Sequence, residues 1–307
     1  MRLTRRQFLP VALSACARPW RPIRAADPIA RTGRPHFKLA LAAYSFHSRL
    51  PKNWPRAGER AGTMSLEDVI DFCAAQDLDG VELTSYYFPA EVTPPYLAAL
   101  KEQTFRLGLD ISGTAIGNDF CLPDGPERDA QLALTRQWID YAAAMGAPVI
   151  RIFAGQTPRG DSESQAVERC VAGIEASLEH AAEKGVALAL ENHGGITATA
   201  DQLLRIVRAV QPSPWFGVNF DSGNFHSADP YAELEHIAPY ALNAQLKASI
   251  APEGRKAAAD LGRIVEILKA AGYRGYLVLE YEEPDDPFET IPGLLATLKS
   301  LIGRGAS

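Results

Sequence analysis

Sulfur is scarce in this 307-residue chain, which has four cysteines and three methionines. Cys16, Cys73, Cys121 and Cys170 are widely spaced, with no CxxC pair and no histidine-rich neighbourhood, which argues against a structural zinc site and against a disulfide framework. Stability must therefore come from a packed core, and 47% hydrophobic with 22% charged residues suffices for one large core or two modest ones. A basic surface is missing too. Six arginines and no acid stand in the first 26 residues, so the remainder holds 25 basic residues against 37 acidic ones, a net charge of −12. Such an acidic body is a poor partner for nucleic-acid phosphates. Past the N-terminus no apolar run nears the ~20 residues of a membrane span, and no GxGxxG leads from a candidate strand into a helix.

What the N-terminus does contain reads as an address. Thr4-Arg5-Arg6-Gln7-Phe8-Leu9 opens a short apolar run, Phe8 to Ala15, followed by a basic, proline-containing stretch. This order resembles a twin-arginine export signal, whose apolar part is too short to span a bilayer. The expected organisation is an export signal over 1–26, a linker over 27–36 and one folded unit over 37–307, with the protein exported beyond the cytoplasmic membrane. Leu13-Ser14-Ala15-Cys16 also resembles a lipobox, so lipid anchoring through Cys16 stands beside cleavage near Ala25-Ala26 as an alternative.

Behind this segment the chain has one rhythm. Short apolar runs alternate with amphipathic stretches, each pair taking about 30 residues, the signature of βα units. Candidate strands are Lys38–Phe46, Gly80–Thr84, Leu109–Ile116, Val149–Phe153, Val186–Glu191, Phe216–Asp221, Leu242–Lys247 and Tyr276–Glu280. Ser65-Leu66-Glu67-Asp68 starts a helix with a capping-box-like pattern, and Val167, Val171, Ile174 and Leu178 stripe another over Glu163 to Lys184, with Gly185 as its stop. Eight such units without a linker predict an α/β fold, a single (β/α)8 TIM barrel, with an open doubly wound sheet as the alternative. Trp54, Tyr86, Tyr87, Phe88 and Phe120 fall in the long loops after strands, where they either pack the loops or form a sugar-stacking wall.

Parallel barrel strands are buried on both faces, so a charge at a strand's C-terminal end needs a reason. Four successive strands have one, ending in Glu191, Asp221, Gln245-Leu246-Lys247 and Glu280. Side chains alternate along a strand, so Glu191 and His193 share a phase, as do Asn243, Gln245 and Lys247, while Leu188, Leu190, Val218, Phe220, Leu246 and Leu279 take the helix-facing phase. Glu191, Asp221, Gln245 and Glu280 are thus expected to converge at the barrel mouth as three carboxylates and an amide oxygen. Any one of them alone could be a buried, hydrogen-bonded group. Four in register point to one divalent cation, and an all-oxygen set favours Mg²⁺ or Mn²⁺ over zinc.

These residues carry a resemblance. From about Lys38 to Ile302 the chain resembles the xylose-isomerase-like barrel superfamily of sugar isomerases and epimerases, through Gly80-Val81-Glu82-Leu83, Glu191-Asn192-His193, Asp221-Ser222-Gly223-Asn224, Gln245-Leu246-Lys247 and Leu279-Glu280. The resemblance implies metal ligands at Glu191, Asp221, Gln245 and Glu280, with Glu191 and Glu280 also the acid/base pair. In ketose epimerases a histidine stands at the position of Gln245 and an aspartate at that of Ala248; hydroxypyruvate isomerase-like members use glutamine. The implied reaction is proton abstraction beside the carbonyl of a sugar or keto-sugar through an enediolate, giving epimerisation or isomerisation. His193 and Lys247, inward and two residues past a ligand, are expected to bind substrate oxygens, the alternatives being a loop cap and a structural ion pair. Asn224 lies where relatives contact substrate, and Arg151 is a further substrate-binding candidate. A metal-dependent lyase or hydrolase on keto-glycosides could use the same site, and a non-catalytic carbohydrate binder is the rival of another class. A nuclease of this superfamily needs extra histidines, and none occurs between Ser48 and Glu179.

Overall fold

A computed structural model of the chain describes residues 27–55 and 60–303. The export signal and Cys16 lie outside the described residues.

The first half of the chain runs β1 (His36–Ala42), α1 (Leu66–Ala75), β2 (Gly80–Thr84), α2 (Pro94–Arg106), β3 (Asp110–Ala115), α3 (Pro126–Met145), β4 (Val149–Ile152) and α4 (Glu163–Lys184). The second half runs β5 (Ala187–Glu191), α5 (Ala200–Ala209), β6 (Phe216–Asp221), α6 (Pro230–Ile237) and β7 (Ala241–Lys247). A small hairpin, β8 (Ser249–Ile250) with β9 (Ala257–Ala258), interrupts the rhythm before α7 (Leu261–Ala270), β10 (Arg274–Glu280) and α8 (Pro287–Leu301). Eight parallel strands close in the order β1-β10-β7-β6-β5-β4-β3-β2, so the fold is the (β/α)8 barrel.

Local signals explain the boundaries. Ser65 caps α1 in a full capping box with Asp68, and Ser162 does the same for α4 with Gln165. Gly185 ends α4 at φ +70°, a left-handed conformation that costs glycine little. Leu66, Val69, Ile70 and Cys73 are the buried stripe of α1; on α4 the stripe is Val167, Ile174 and Leu178, with Val171 half-buried at its edge. One strand ends earlier than its apolar run. At Ala42 the chain leaves the sheet for a 3-10 turn over Ala43–Phe46, and Ser45 Oγ accepts the N–H of Tyr281 at 3.0 Å.

The apolar residues divide as a barrel requires. Leu188, Leu190, Val218, Phe220, Leu246 and Leu279 join the large core between strands and helices. Among the described residues, Ala40, Ala42 and Val278 form a small apolar cluster apart from this core, inside the barrel. Toward the C-terminal ends of the strands the lumen holds buried polar residues, in a space normally packed with branched aliphatic side chains. Residues 27–35 lie against the barrel's N-terminal end, where Ile29 N–H donates to the Pro239 carbonyl at 2.9 Å and the Arg31 guanidinium sits 5.2 Å from the Tyr273 ring centre. Among the described residues no helix is long and apolar enough to cross a membrane.

Candidate functional site

The strand register decides which side chains meet at the mouth. Glu191 is level with Asn219, Asp221 with Gln245, and Lys247 with Glu280. Because alternate residues point inward and the strands tilt against the barrel axis, register partners can fall at different heights, and two polar layers form at the C-terminal ends of β5, β6, β7 and β10.

The lower layer is a closed ring of amides and one carboxylate. Asn243 Nδ2 donates to Glu82 Oε2 and to Asn219 Oδ1, both at 2.9 Å. Asn219 Nδ2 donates to Gln245 Oε1 at 2.6 Å, and Gln245 Nε2 closes the ring on Glu82 Oε1 at 2.6 Å. Glu82 and Asn219 are fully buried, and the ring satisfies them without water. With its nitrogen held by Glu82, Gln245 presents its oxygen away from that carboxylate; the oxygen keeps a second lone pair beyond the one Asn219 uses.

Above the ring lie the ion pairs. Arg151 Nε stands 2.8 Å from Glu191 Oε2, while Arg151 Nη1 donates to the Ile116 carbonyl at 2.7 Å and the guanidinium lies 3.9 Å from the Phe153 ring centre. Asn224 Nδ2 donates to Glu191 Oε1 at 2.8 Å. Lys247 Nζ is 2.6 Å from Glu280 Oε2, 2.9 Å from Glu282 Oε1 and 3.3 Å from Asp221 Oδ2. Two buried carboxylate oxygens, Glu191 Oε2 and Asp221 Oδ2, face these cations yet accept no well-formed hydrogen bond from the described residues.

Burial and mutual repulsion set the protonation of this cluster. Burial, added to by Glu280, pushes Glu82 up to about 7. Asp221 is pushed up to about 7 by burial despite Lys247, and Glu191 is raised by burial despite Arg151. Burial opposes charge on Arg151 and Lys247 as well, but the surrounding carboxylates outweigh it, and both are raised. Carboxylates in excess over cations thus hold Arg151 and Lys247 charged, while burial disfavours the charged forms of Glu82, Glu191 and Asp221.

His193 sits at the rim with its ring 4.1 Å from that of Phe153, and its backbone N–H donates to Thr197 Oγ1 at 3.0 Å. Burial, then Arg151 and Lys247, lower it to about 4, although the residue stays open to solvent and the effect is correspondingly screened. It is neutral at physiological pH and close to the ion pairs without joining them.

The structure thus gathers Glu191, Asp221, Lys247, Glu280, Arg151 and Asn224 in one layer, sets Gln245 in the layer beneath, and leaves His193 on the rim. It also adds residues that strand-end reasoning passed over. Glu82 stands in the middle of β2; Asn219 and Glu282 lie two residues before Asp221 and two after Glu280. Strand alternation identifies Asn219; Glu282 lies past the end of β10, and β2 is buried on both faces, so its sequence gives Glu82 no phase of its own. Of the loop aromatics, Trp54, Tyr87, Phe88 and Phe120 are core: Trp54 and Phe88 pack 4.5 and 4.9 Å from the Trp138 ring centre. Tyr86 is half-buried at the mouth, its ring 6.5 Å from that of Tyr44, which Glu282 and Glu280 influence electrostatically.

Among the described residues no three Asp, Glu, His or Cys side chains form a ready ion cage. Lys247 bridges Asp221 and Glu280 instead. The donor set nevertheless suits a hard divalent cation. It has an excess of carboxylates, two orphaned carboxylate oxygens and an amide oxygen with a free lone pair, and no thiol or imidazole within it.

Residues 70–301 match the family described as Xylose isomerase-like TIM barrel. No curated protein is significantly similar to the chain. Among solved structures, a xylose isomerase domain protein from Planctomyces limnophilus is 21% identical, with a TM-score of 0.65 over 88% of this chain and 98% of that one. A D-psicose 3-epimerase, determined in the presence of D-fructose, is 15% identical with a TM-score of 0.70, covering 87% of this chain and 99% of its own. The 3-keto-D-glucoside 4-epimerase of E. coli is 15% identical with a TM-score of 0.65, covering 87% of this chain and all of its own. At these identities the likeness is one of fold.

Proposed function

Because the chain belongs to the xylose isomerase-like TIM barrel family, we propose that it is a divalent-metal-dependent isomerase or epimerase of a sugar or keto-sugar. The observation that carries the reading is the pair of buried glutamates at the barrel mouth, Glu191 and Glu280, each held by its own buried cation at 2.8 and 2.6 Å. A structural barrel has no need of two paired charges in its lumen, whereas acid/base chemistry does.

Glu191, Asp221, Glu280 and Gln245 are the residues to hold the ion, Mn²⁺ or Mg²⁺ by donor type. When bound, it supplies a Lewis acid for adjacent carbonyl and hydroxyl oxygens of the substrate. Glu191, its charged form disfavoured by burial, is suited to take up and return a proton. Glu280 serves as the second proton acceptor. Removal by one carboxylate and return by the other inverts a carbon, and return to the neighbouring carbon isomerises. Asn224 orients the Glu191 carboxylate; Arg151, Lys247 and the neutral His193 are placed to donate hydrogen bonds to substrate oxygens. Two structural neighbours are named for a free ketose and a keto-glucoside, which makes both substrate classes worth comparing, the lyase alternative included. We also propose, from Arg5-Arg6 and the apolar run behind them, that the protein is exported.

The test is a solvent-deuterium incorporation screen over unphosphorylated ketoses, aldoses and keto-glycosides with added Mn²⁺. Exchange of one carbon-bound proton next to a carbonyl is expected, and a chelator should abolish it. Saturable sugar binding without any exchange would replace this reading with that of a carbohydrate-binding barrel.

A further inference from the structure

Lys247 has three N–H donors, and three carboxylates surround them at 2.6, 2.9 and 3.3 Å. Its stem is closely packed. A Cβ at Gly223 would come within 2.8 Å of Lys247 Cγ, so the stem is pressed against the loop after β6, and the Lys247 N–H donates to Ser222 Oγ at 2.8 Å.

The three carboxylates around the ammonium are not equivalent. The side chains of Asp221 and Glu280 are 0% and 6% exposed, that of Glu282 38%. The two buried ones belong to the proposed ion-holding set, and the ammonium rests on Glu280 Oε2 and faces the orphaned Asp221 Oδ2. An ammonium and a divalent cation cannot share those lone pairs, since two like charges within about 4 Å repel strongly in a medium of low polarity. Glu282 offers a third partner outside the set, still within reach.

Resting on the metal-site reading above, we infer that Lys247 is the resident cation of the carboxylate cluster and that ion binding is an exchange. The divalent ion takes Asp221 and Glu280 as the ammonium withdraws onto Glu282. Glu282 is then a positioning residue that acts on the ion only through Lys247. The arrangement keeps the buried carboxylates neutralised before and after loading, which is why the lumen tolerates them in either state.

The test measures Mn²⁺ affinity of the full chain without substrate, by electron paramagnetic resonance of the free ion, together with thermal melting in the presence and absence of Mn²⁺. Lys247→Met should bind Mn²⁺ about tenfold tighter, melt lower than the wild type without the ion, and recover more than the wild type does when it is added. Glu282→Gln should bind about tenfold more weakly. The double variant should bind like Lys247→Met alone. If the wild type binds Mn²⁺ and Lys247→Met binds it equally, the exchange is refuted while the metal site stands. An equal weakening by Glu282→Gln in both backgrounds would make Glu282 a direct ligand and also overturn the inference. Absence of binding by all variants and the wild type would dismiss the metal site itself, and the exchange with it.

Discussion

Replacing Arg151 with Met tests the electrostatics of the lumen without needing the substrate. Arg151 and Glu191 are both buried, with side-chain exposures of 5% and 3%, and stand 2.8 Å apart. Removing one partner of such a pair leaves an uncompensated buried charge, a loss of about 3–5 kcal/mol. At roughly 2 °C per kcal/mol for a chain of this size, that corresponds to a melting temperature lower by about 8 °C. The loss should depend on pH, with a definite sign. Burial already raises Glu191, and Arg151 is what opposes the rise, so without Arg151 the carboxyl holds its proton to still higher pH. A folded carboxyl that binds protons more tightly than the unfolded one contributes stability below the ordinary carboxylate range and loses it as pH rises. The deficit of the variant against the wild type should therefore be smallest in the ordinary carboxylate range and grow with pH above it, so buffers of about pH 5 and about pH 8 are compared. Denaturant unfolding at both pH values, with a chelator present, reads it directly. Adding Glu191→Gln to the variant should recover most of the loss at the higher pH. A deficit below about 1 kcal/mol at pH 8, or one that does not change with pH, would refute the claim that Arg151 neutralises a buried Glu191.

Four further outcomes are expected. Glu280→Gln keeps an oxygen and removes the base, so the variant should fold and bind Mn²⁺ while exchange of the substrate's carbon-bound proton falls by about 10²-fold or more; wild-type exchange would leave Glu280 a purely structural role. His193→Ala, at the exposed rim, should change the melting temperature little and lower turnover about a hundredfold, whereas a collapsed melting temperature would mark His193 as structural. Gly155→Ala should destabilise the β4–α4 loop by about 2–3 kcal/mol, because Gly155 has φ +114° and a Cβ there would lie 1.9 Å from Asp119 Oδ1; calorimetry showing no change would contradict the loop geometry. Changing Arg5 and Arg6 to Lys should retain folded protein in the cytoplasm, as fractionation would reveal, and normal export of that variant would exclude the twin-arginine route.

The mouth was legible in the chain because alternation is a local property. A run such as Val186 to Glu191 that turns from apolar to charged at its end declares both a buried strand and the face on which its polar residue must stand. Glu191, Asp221, Gln245 and Glu280 were expected to converge from phase alone, but phase sets a face and not a height, and Gln245 lies in the layer beneath the others. The helices were legible for a similar reason, since Ser65 with Asp68 and Ser162 with Gln165 are contacts within one turn of chain. Phase could not say what each inward residue would meet.

Partnerships across the lumen depend on closure and stagger, which no local pattern encodes. Glu82 reaches Gln245 and Asn243 over 163 and 161 residues of chain, and only the closed barrel brings them within hydrogen-bond distance. The loop aromatics were undecidable for the same reason: Trp54 and Phe88 are core because Trp138, on a helix far along the chain, supplies the surface they bury against. The sequence by itself determined the eight βα units, the polar end of four strands and the inward phase of the acidic residues, all consequences of local backbone geometry. The tertiary structure alone decided that Lys247 answers three carboxylates at once, that Gln245 is turned by a glutamate from the far side, and that Glu191 shares its charge with Arg151, since each follows from strand register across the lumen.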